Sequence, residues 1–357
     1  MLYRLVRTHL TPYAVPLFWL LVLQFVATIA SLYLPSLNGR ILDEGVAVGD
    51  TGFILRTGAI MLAVSLVQIV ATIAATRIGA QSAASLGRDI RARVFHTVGA
   101  FSAQELSRFG APTLISRSTN DVTQVQTVVY MFLAMMVSAP IMMVGGIFMA
   151  LREDAGLSWL VAVAVPALAI AIGLVIRQMI PHFRAMQTAV DSVNRILREQ
   201  ITGIRVVRAF VREDVERARF AEANTTYTGT ALAVGKLMAL AFPIVMVIFN
   251  ASTVAVLWFG AQRVDNGEMQ IGALTAFMAY LIQILMSVMM ATFMAMMIPR
   301  ATVSAGRIQE VLDTETSVHA PVDPVPSPAG PVPAALRGVT RASPGAAAPV
   351  PREAPPV

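Results

Sequence analysis

The sequence predicts an all-α membrane protein in which six transmembrane helices alternate with short turns and long polar helical extensions. Three observations carry that fold class. Hydrophobic residues make up 56% of the 357-residue chain and charged residues only 13%, with mean hydropathy +0.68, whereas a soluble domain carries roughly 25% charged residues. The apolar residues fall into six runs, each long enough to cross ~30 Å of hydrocarbon at 1.5 Å per residue. Between some of those runs lie stretches that keep helical apolar spacing yet fill with arginine and carboxylate.

The elements follow in order. The arm 1–11 carries Arg4, Arg7 and His9 and precedes the first span, 12–34. No small-residue cleavage site follows that run, so it reads as a retained helix and not a signal peptide. Pro35, Asn38, Gly39, Asp43, Glu44, Gly45, Gly49, Asp50 and Gly52 then read as a loop. The second span is 55–75. Only isolated glycines interrupt the chain before Gly110 and Pro112, so a helix from 55 to about 100, ~70 Å long, is expected to project well beyond the membrane. Gln81, Arg88, Asp89, Arg91 and Arg93 give that projection its polar surface. Helix resumes over 113–129 and returns into span three, 130–151; the turn at Arg152 to Gly156 leads to span four, 157–180, which Pro166 is expected to kink. A second projection, 181–235, precedes span five, 237–259. Span six, 273–298, is read as ended by Pro299 and Arg300, and 301–314 as an amphipathic exit helix. The membrane domain is thus 1–315. The tail 316–357 is dominated by proline and alanine; it cannot bury enough apolar surface to offset chain entropy and is expected to be disordered.

Charge orients the spans. Arginine and lysine number two in the arm, six between spans two and three, and ten around the second projection, against about four on the opposite side (Arg40, Arg56, Arg152, Arg263). The positive-inside rule then places both termini and both projections in the cytoplasm. This distribution accounts for the net charge of +6 without a nucleic-acid partner. Cysteine is absent, which excludes a disulfide framework and a cysteine-based metal or redox site. His9, His96, His182 and His319 lack metal spacing and are placed on solvated or interfacial faces. No metal, catalytic or paired-carboxylate constellation stands out.

Within the spans Asp and Glu are absent, which disfavours a proton-coupled carrier. Span six carries Met286, Met289, Met290, Phe293 and Met297 at helical spacing, the kind of adaptable apolar lining that suits amphipathic ligands. Asn250, Gln283, Met286, Ser287 and Met290 are the candidate pathway residues; packing between spans is the alternative for each. No G-x-x-x-x-G-K-[ST] motif occurs. Gly229 to Lys236 has five intervening residues and no following Ser or Thr, so no ATP hydrolysis and no cofactor are expected on this chain itself.

The stretch 199–220 (EQITGIRVVRAFVREDVERARF) places Ile201, Ile204, Val207 and Phe210 at helical spacing, so it reads as one amphipathic helix outside the bilayer, built to touch another protein. Its Glu199, Gly203, Ile204, Val207, Arg208, Ala209, Phe210 and Glu213, with Arg219-Phe220 and, downstream, Asn224, resemble the second projection of the membrane domain of ATP-binding-cassette (ABC) exporters. Other matches run along the chain. Leu34-Pro35 with Asn38, Gly39, Ile41, Asp43 and Gly45 is similar to that family's end of span one. Leu114 to Arg117 with Thr119 to Val122 is similar to its return from the first projection, Gly272, Leu274 and Tyr280 to its span six, and Arg307, Ile308, Val311 and Leu312 to its exit helix.

The resemblance implies a type I exporter fold in a bacterial inner membrane, working as a homo- or heterodimer of half-transporters. A short cross-helix at the tip of each projection would seat in an ATP-binding-cassette domain, the first near 105–112 and the second near 208–215. Glu105, Arg108, Phe109, Arg208, Phe210, Glu213 and Asp214 would make the contacts, with Phe109 and Phe210 as aromatic anchors; a solvated bundle with no outside contact is the alternative. Pro112 departs from the family, which more often has glycine there. ATP and Mg2+ are implied on the partner domain, with membrane lipid around the spans and an amphipathic compound, drug or lipid as cargo. Leu336 to Thr340, Pro344-Gly345 and Ala348 to Val350 resemble the first strand and turn of a nucleotide-binding domain, so a truncated or frameshifted half-transporter is expected; a proline-rich linker is the alternative. A non-transporting fragment or dimerising regulator is the second functional reading.

Overall fold

A computed structural model describes residues 2–318 and two short segments, 340–341 and 350–351. α1 (Leu2–Leu10) and a 3-10 turn (Thr11–Tyr13) lead into α2 (Ala14–Arg40), which a π-helical segment, Ile41–Val46, prolongs. α3 (Thr51–Gly99) runs unbroken for 49 residues. α4 (Ala103–Phe109) precedes a run made of α5 (Ala111–Ser116), a π segment (Arg117–Asp121), α6 (Val122–Met131), a second π segment (Phe132–Met136) and α7 (Ser138–Glu153). α8 (Ser158–Ala209), α9 (Glu213–Asp265) and α10 (Ile271–Leu312) follow, and Thr340–Arg341 (β1) pairs antiparallel with Val350–Pro351 (β2). Apart from that pairing, the expected disorder of the tail and its likeness to a cassette strand fall outside the described residues. Six of the helical runs are long and apolar enough to cross a membrane.

Three expectations are corrected. Residues 35–46 are not a loop, because α2 passes through Pro35 to Arg40 and the π segment continues to Val46. Pro299 does not break the helix between span six and the exit segment, since α10 runs through it to Leu312. Inside a membrane protein a proline forfeits one N–H, and neighbouring helices and local adjustment re-satisfy the freed carbonyl; Pro166, Pro181 and Pro243 likewise sit within α8 and α9. The third correction is at 199–220, which is two helices: α8 ends at Ala209, and α9 begins at Glu213 after the turn Phe210 to Arg212.

The chain packs as two units. The larger holds 15–80 and 131–297, and its core is built around α10. Phe277, Tyr280, Leu281, Ile284 and Leu285 are fully buried there, with Leu32 of α2, Ala150 of α7, Leu160, Val161 and Leu168 of α8, and Val256 of α9 in the same cluster. The Tyr280 hydroxyl donates to the Leu32 carbonyl at 2.8 Å. Asp43, on the π extension of α2, accepts the backbone N–H of Gly272 at 2.7 Å, which satisfies one of the free donors at the start of α10. This requires close backbones, and a Cβ on Gly39 would lie 2.6 Å from the Gly272 carbonyl oxygen. Gln24 donates through Nε2 to the carbonyls of Leu133 at 2.6 Å and Ala134 at 3.2 Å. Those carbonyls lie in the second π segment, where i→i−4 pairing is interrupted. At the two short turns, buried Asp154 accepts from the Leu157 N–H at 2.7 Å and pairs with Arg263 at 3.1 Å, and Arg263 also reaches Glu268 at 3.0 Å.

The smaller unit holds 1–14, 81–130 and 298 onward. Leu5, Leu86, Ile90, Val94, Val122, Val125, Ala305, Ile308 and Val311 are buried in it. Polar contacts tie its parts. The Tyr13 hydroxyl donates to Asp89 Oδ2 at 2.6 Å, and Arg91 donates to Gln126 Oε1 at 3.1 Å. Ser304 donates to buried Asp121 at 2.9 Å. Arg117 donates to the Arg307 carbonyl at 2.9 Å and pairs with Glu310 at 2.8 Å.

Candidate coupling surfaces and membrane pathway

α4 begins where a capping box forms. The Ser102 hydroxyl accepts the Gln104 N–H at 3.1 Å, and Glu105 Oε2 accepts the Ser102 N–H at 2.7 Å, so donors left free at the helix start are satisfied locally. Glu105 Oε1 also accepts the Ser317 N–H at 3.3 Å, and the Ser102 and Ser317 hydroxyls meet at 2.8 Å. Hydrogen bonding to the Ser102 side chain, helped by Ser317 and by the backbone N–H groups of both, outweighs burial and holds the Glu105 carboxyl down to about 2. The helix stops at Gly110, whose φ of 75° is a backbone state that glycine adopts at no steric cost.

This geometry turns two of the expected contact residues inward. Phe109 is 8% exposed. It stacks on Phe101 at 5.9 Å between ring centroids, with the Arg117 guanidinium 4.9 Å and the Arg108 guanidinium 5.6 Å from its ring. Glu105 is buried in the cap. Gln104, Leu106, Ser107 and Arg108 are exposed; Leu106, one turn before Phe109, lies at the edge of the buried side. Leu106, 42% exposed, is the apolar residue on offer, and sequence reading missed it. The pattern Ser102-x-x-Glu105 is the signal that marks Glu105 as already engaged.

At the second tip Phe210 is 74% exposed and Val211 84% exposed. No separate cross-helix occupies 208–215; α8 and α9 meet at a tight turn instead. Val211 makes that turn with φ of 51°, the sole non-glycine with positive φ noted among the described residues. A β-branched side chain in that region is strained, and such strain persists only where surrounding structure imposes it. Here the side-by-side pairing of α8 and α9 supplies it, along with an ion pair between Arg219 and Glu199 at 2.8 Å. Arg208, Arg212 and Asp214 surround the apolar tip in exposed positions, with Glu213 half-buried beside them.

The five pathway candidates separate. Asn250 and Met286 are exposed, Gln283 and Met290 are half-buried, and Ser287 is 1% exposed with its hydroxyl donating to the Ile284 carbonyl at 2.7 Å. Ser287 is therefore a packed residue that satisfies itself within its own helix and does not line a surface of this chain. The Oε1 atoms of Gln24 and Gln283 are buried without a hydrogen-bond partner among the described residues. His9 corrects another expectation: it is 6% exposed, not solvated, with Nδ1 2.9 Å from the Leu5 carbonyl. His96 and His182 are exposed, and His319 lies outside the described residues. No group of three or more metal-ligating side chains occurs among the described residues.

Six membrane-length helices, two of them paired side by side up to a bare apolar tip, define a multi-pass helical membrane protein. The family comparison makes that specific. Residues 17–288 match the model of the ABC transporter transmembrane region, and the chain belongs to that family, with the exporter-type arrangement of six spans. It is similar to a Mycobacterium tuberculosis protein described as an uncharacterized ABC transporter ATP-binding protein, 48% identical over 324 residues, which cover 91% of this chain and 56% of that one. It is 30% identical to the ABC transporter ATP-binding protein YfiB of Bacillus subtilis, over 86% of this chain and 54% of YfiB. A third relative is the probable multidrug resistance ABC transporter ATP-binding/permease protein YheI of Bacillus subtilis, 28% identical over 59% of this chain and 36% of YheI. The chain therefore spans little more than half the length of the first two relatives.

Proposed function

We propose that this chain is the membrane-spanning part of an ATP-driven exporter of amphipathic compounds, drugs or lipids. It works as a dimer, with its arginine-rich projections on the cytoplasmic side of a bacterial inner membrane. ATP and Mg2+ act on an ATP-binding-cassette domain, and closure of two such domains pushes the projection tips and shifts the spans between inward and outward access. The pathway is proposed along Asn250, Gln283, Met286 and Met290. The observation that carries this reading is the bare tip of α8 and α9, where Phe210 and Val211 stand out of the chain amid Arg208, Arg212, Glu213 and Asp214. An aromatic with a charged rim is the form of an interface anchor. At the first projection the anchor is Leu106 with Arg108, while Phe109 and Glu105 shape the helix that presents them.

The test co-expresses the chain with the unmatched remainder of the Mycobacterium tuberculosis relative and reads dye efflux and ATP hydrolysis in vesicles. Phe210→Asp buries a charge in any docked tip and is expected to cut both at least tenfold, since an unpaired buried charge costs several kcal/mol. Full efflux in that variant sinks the coupling role of the tip. Absence of efflux in the unaltered pair favours the non-transporting reading instead.

A further inference from the structure

The smaller unit contains a cavity of about 410 Å3 that the transport reading leaves unused. Its walls are one face of α1 (Arg4, Leu5, Thr8, His9), the end of α3 (Arg93, His96, Thr97) and the end of α10 (Gln309, Leu312, Asp313). Arg4, Arg93 and two imidazoles therefore face a single space. Among the described residues neither Arg4 nor Arg93 takes part in an ion pair. The one carboxylate on the wall, Asp313, is held by the Gln309 side chain at 2.6 Å.

Buried His9 gives the site a fixed element. Its Nδ1 is 2.9 Å from the Leu5 carbonyl, which can only accept, so Nδ1 carries the proton. In the neutral ring Nε2 is then an acceptor, and it lies 3.4 Å from Arg93 Nη1. His9 thus steadies the Arg93 guanidinium without neutralising it. Arg4 and Arg93 are both exposed to this cavity, and guanidinium groups free of a carboxylate partner suit the oxygens of a phosphate.

We propose that this cavity binds a phosphate-bearing anion, with Arg4 and Arg93 as the charge partners and His9 as the residue that positions Arg93. Two sources share that chemistry: the headgroup of an anionic phospholipid and a soluble phosphate ester. The first is at hand, because only Thr11–Tyr13 separates α1 from the first membrane helix, and basic residues at that level attract anionic headgroups.

The experiment uses the purified full chain in detergent. One arm scores phosphatidylglycerol against phosphatidylcholine adducts by native mass spectrometry, and the other titrates glycerol 3-phosphate by calorimetry. Binding is expected in at least one arm, with a loss of roughly fivefold per arginine in Arg4→Ala/Arg93→Ala. Asp313→Asn, which removes the competing charge and disturbs no buried group, is expected to tighten the same binding several-fold and decides the matter if the double variant fails to fold. Phosphatidylglycerol selectivity assigns the site to lipid, and glycerol 3-phosphate binding assigns it to a soluble ester. Binding to neither probe, or binding insensitive to the substitutions, overturns the proposal.

Discussion

Phe109 and Leu106 sit three residues apart on the same short helix, and the structure gives them opposite burdens. Phe109→Ala empties a site where the ring is 8% exposed, stacked on Phe101 and flanked by two guanidinium groups. Truncating a buried Phe costs about 3–5 kcal/mol. The cation–π contact with Arg117, at 4.9 Å, adds about 1–2 kcal/mol where the cation is largely buried. Arg117 would also lose the ring that steadies its bonds to Arg307 and Glu310. Leu106→Ala removes a side chain that is 42% exposed, and a surface truncation of that kind stays within about 0.5–1 kcal/mol. Thermal unfolding of the detergent-purified chain, with limited proteolysis between 99 and 117, separates the two. Phe109→Ala should melt markedly earlier and open the segment to cleavage, while Leu106→Ala should do neither. In the efflux assay the order reverses for variants that remain folded, with Leu106→Asp losing coupling. Equal stability of the two alanine variants would refute the reading of Phe109 as packed and Leu106 as surface.

Two further predictions follow from named contacts. Glu105 has a folded value of about 2 against an ordinary 4.5, so its contribution is fully present above about 4.5 and is lost as pH falls through about 2. The stability gap between the unaltered chain and Glu105→Gln should accordingly be flat above that window and shrink within it, and a gap that widens on acidification would contradict the cap. Gly39→Ala places a Cβ 2.6 Å from a backbone oxygen of Gly272, which cannot rotate away. The start of α10 must shift, stretching the bond from Gly272 to Asp43, and a cost of about 1–3 kcal/mol is expected in unfolding midpoint; an unchanged midpoint would mean the two backbones are not in contact.

Much of the architecture is legible because apolar runs of membrane length have few alternative meanings. Pro35 and Pro299 misled because proline ends helices in water, whereas packed membrane helices absorb the missing bond. The turn at Phe210 to Arg212 was hidden for the opposite reason: it contains neither glycine nor proline, and its valine takes a strained state that local preference argues against. Only the pairing of α8 with α9 specifies it. The facing of Phe109 and Leu106 was invisible in the same way, since apolar spacing over seven residues does not say which side meets the rest of the chain. His9 looked like part of a solvated basic arm, and only the return of α3 and α10 to its neighbourhood buries it. Asp121 and Arg117 were read as a family likeness alone, yet Asp121 is buried against Ser304 and Arg117 is tied to α10.

The contacts around α10 bear on how the protein is made. Tyr280 closes on Leu32 across 248 residues, and Asp43 on Gly272 across 229. A ribosome adding about 5–20 residues per second needs roughly 10–50 s to cover that interval. Throughout it α2 has entered the bilayer without the helix that completes its packing. The hairpin of α8 and α9, by contrast, finds its partner strand of chain as soon as it emerges, because its turn is only three residues. Assembly is therefore expected to proceed from that hairpin, with the two ends of the domain joining last and the insertion machinery or surrounding lipid shielding α2 in the meantime.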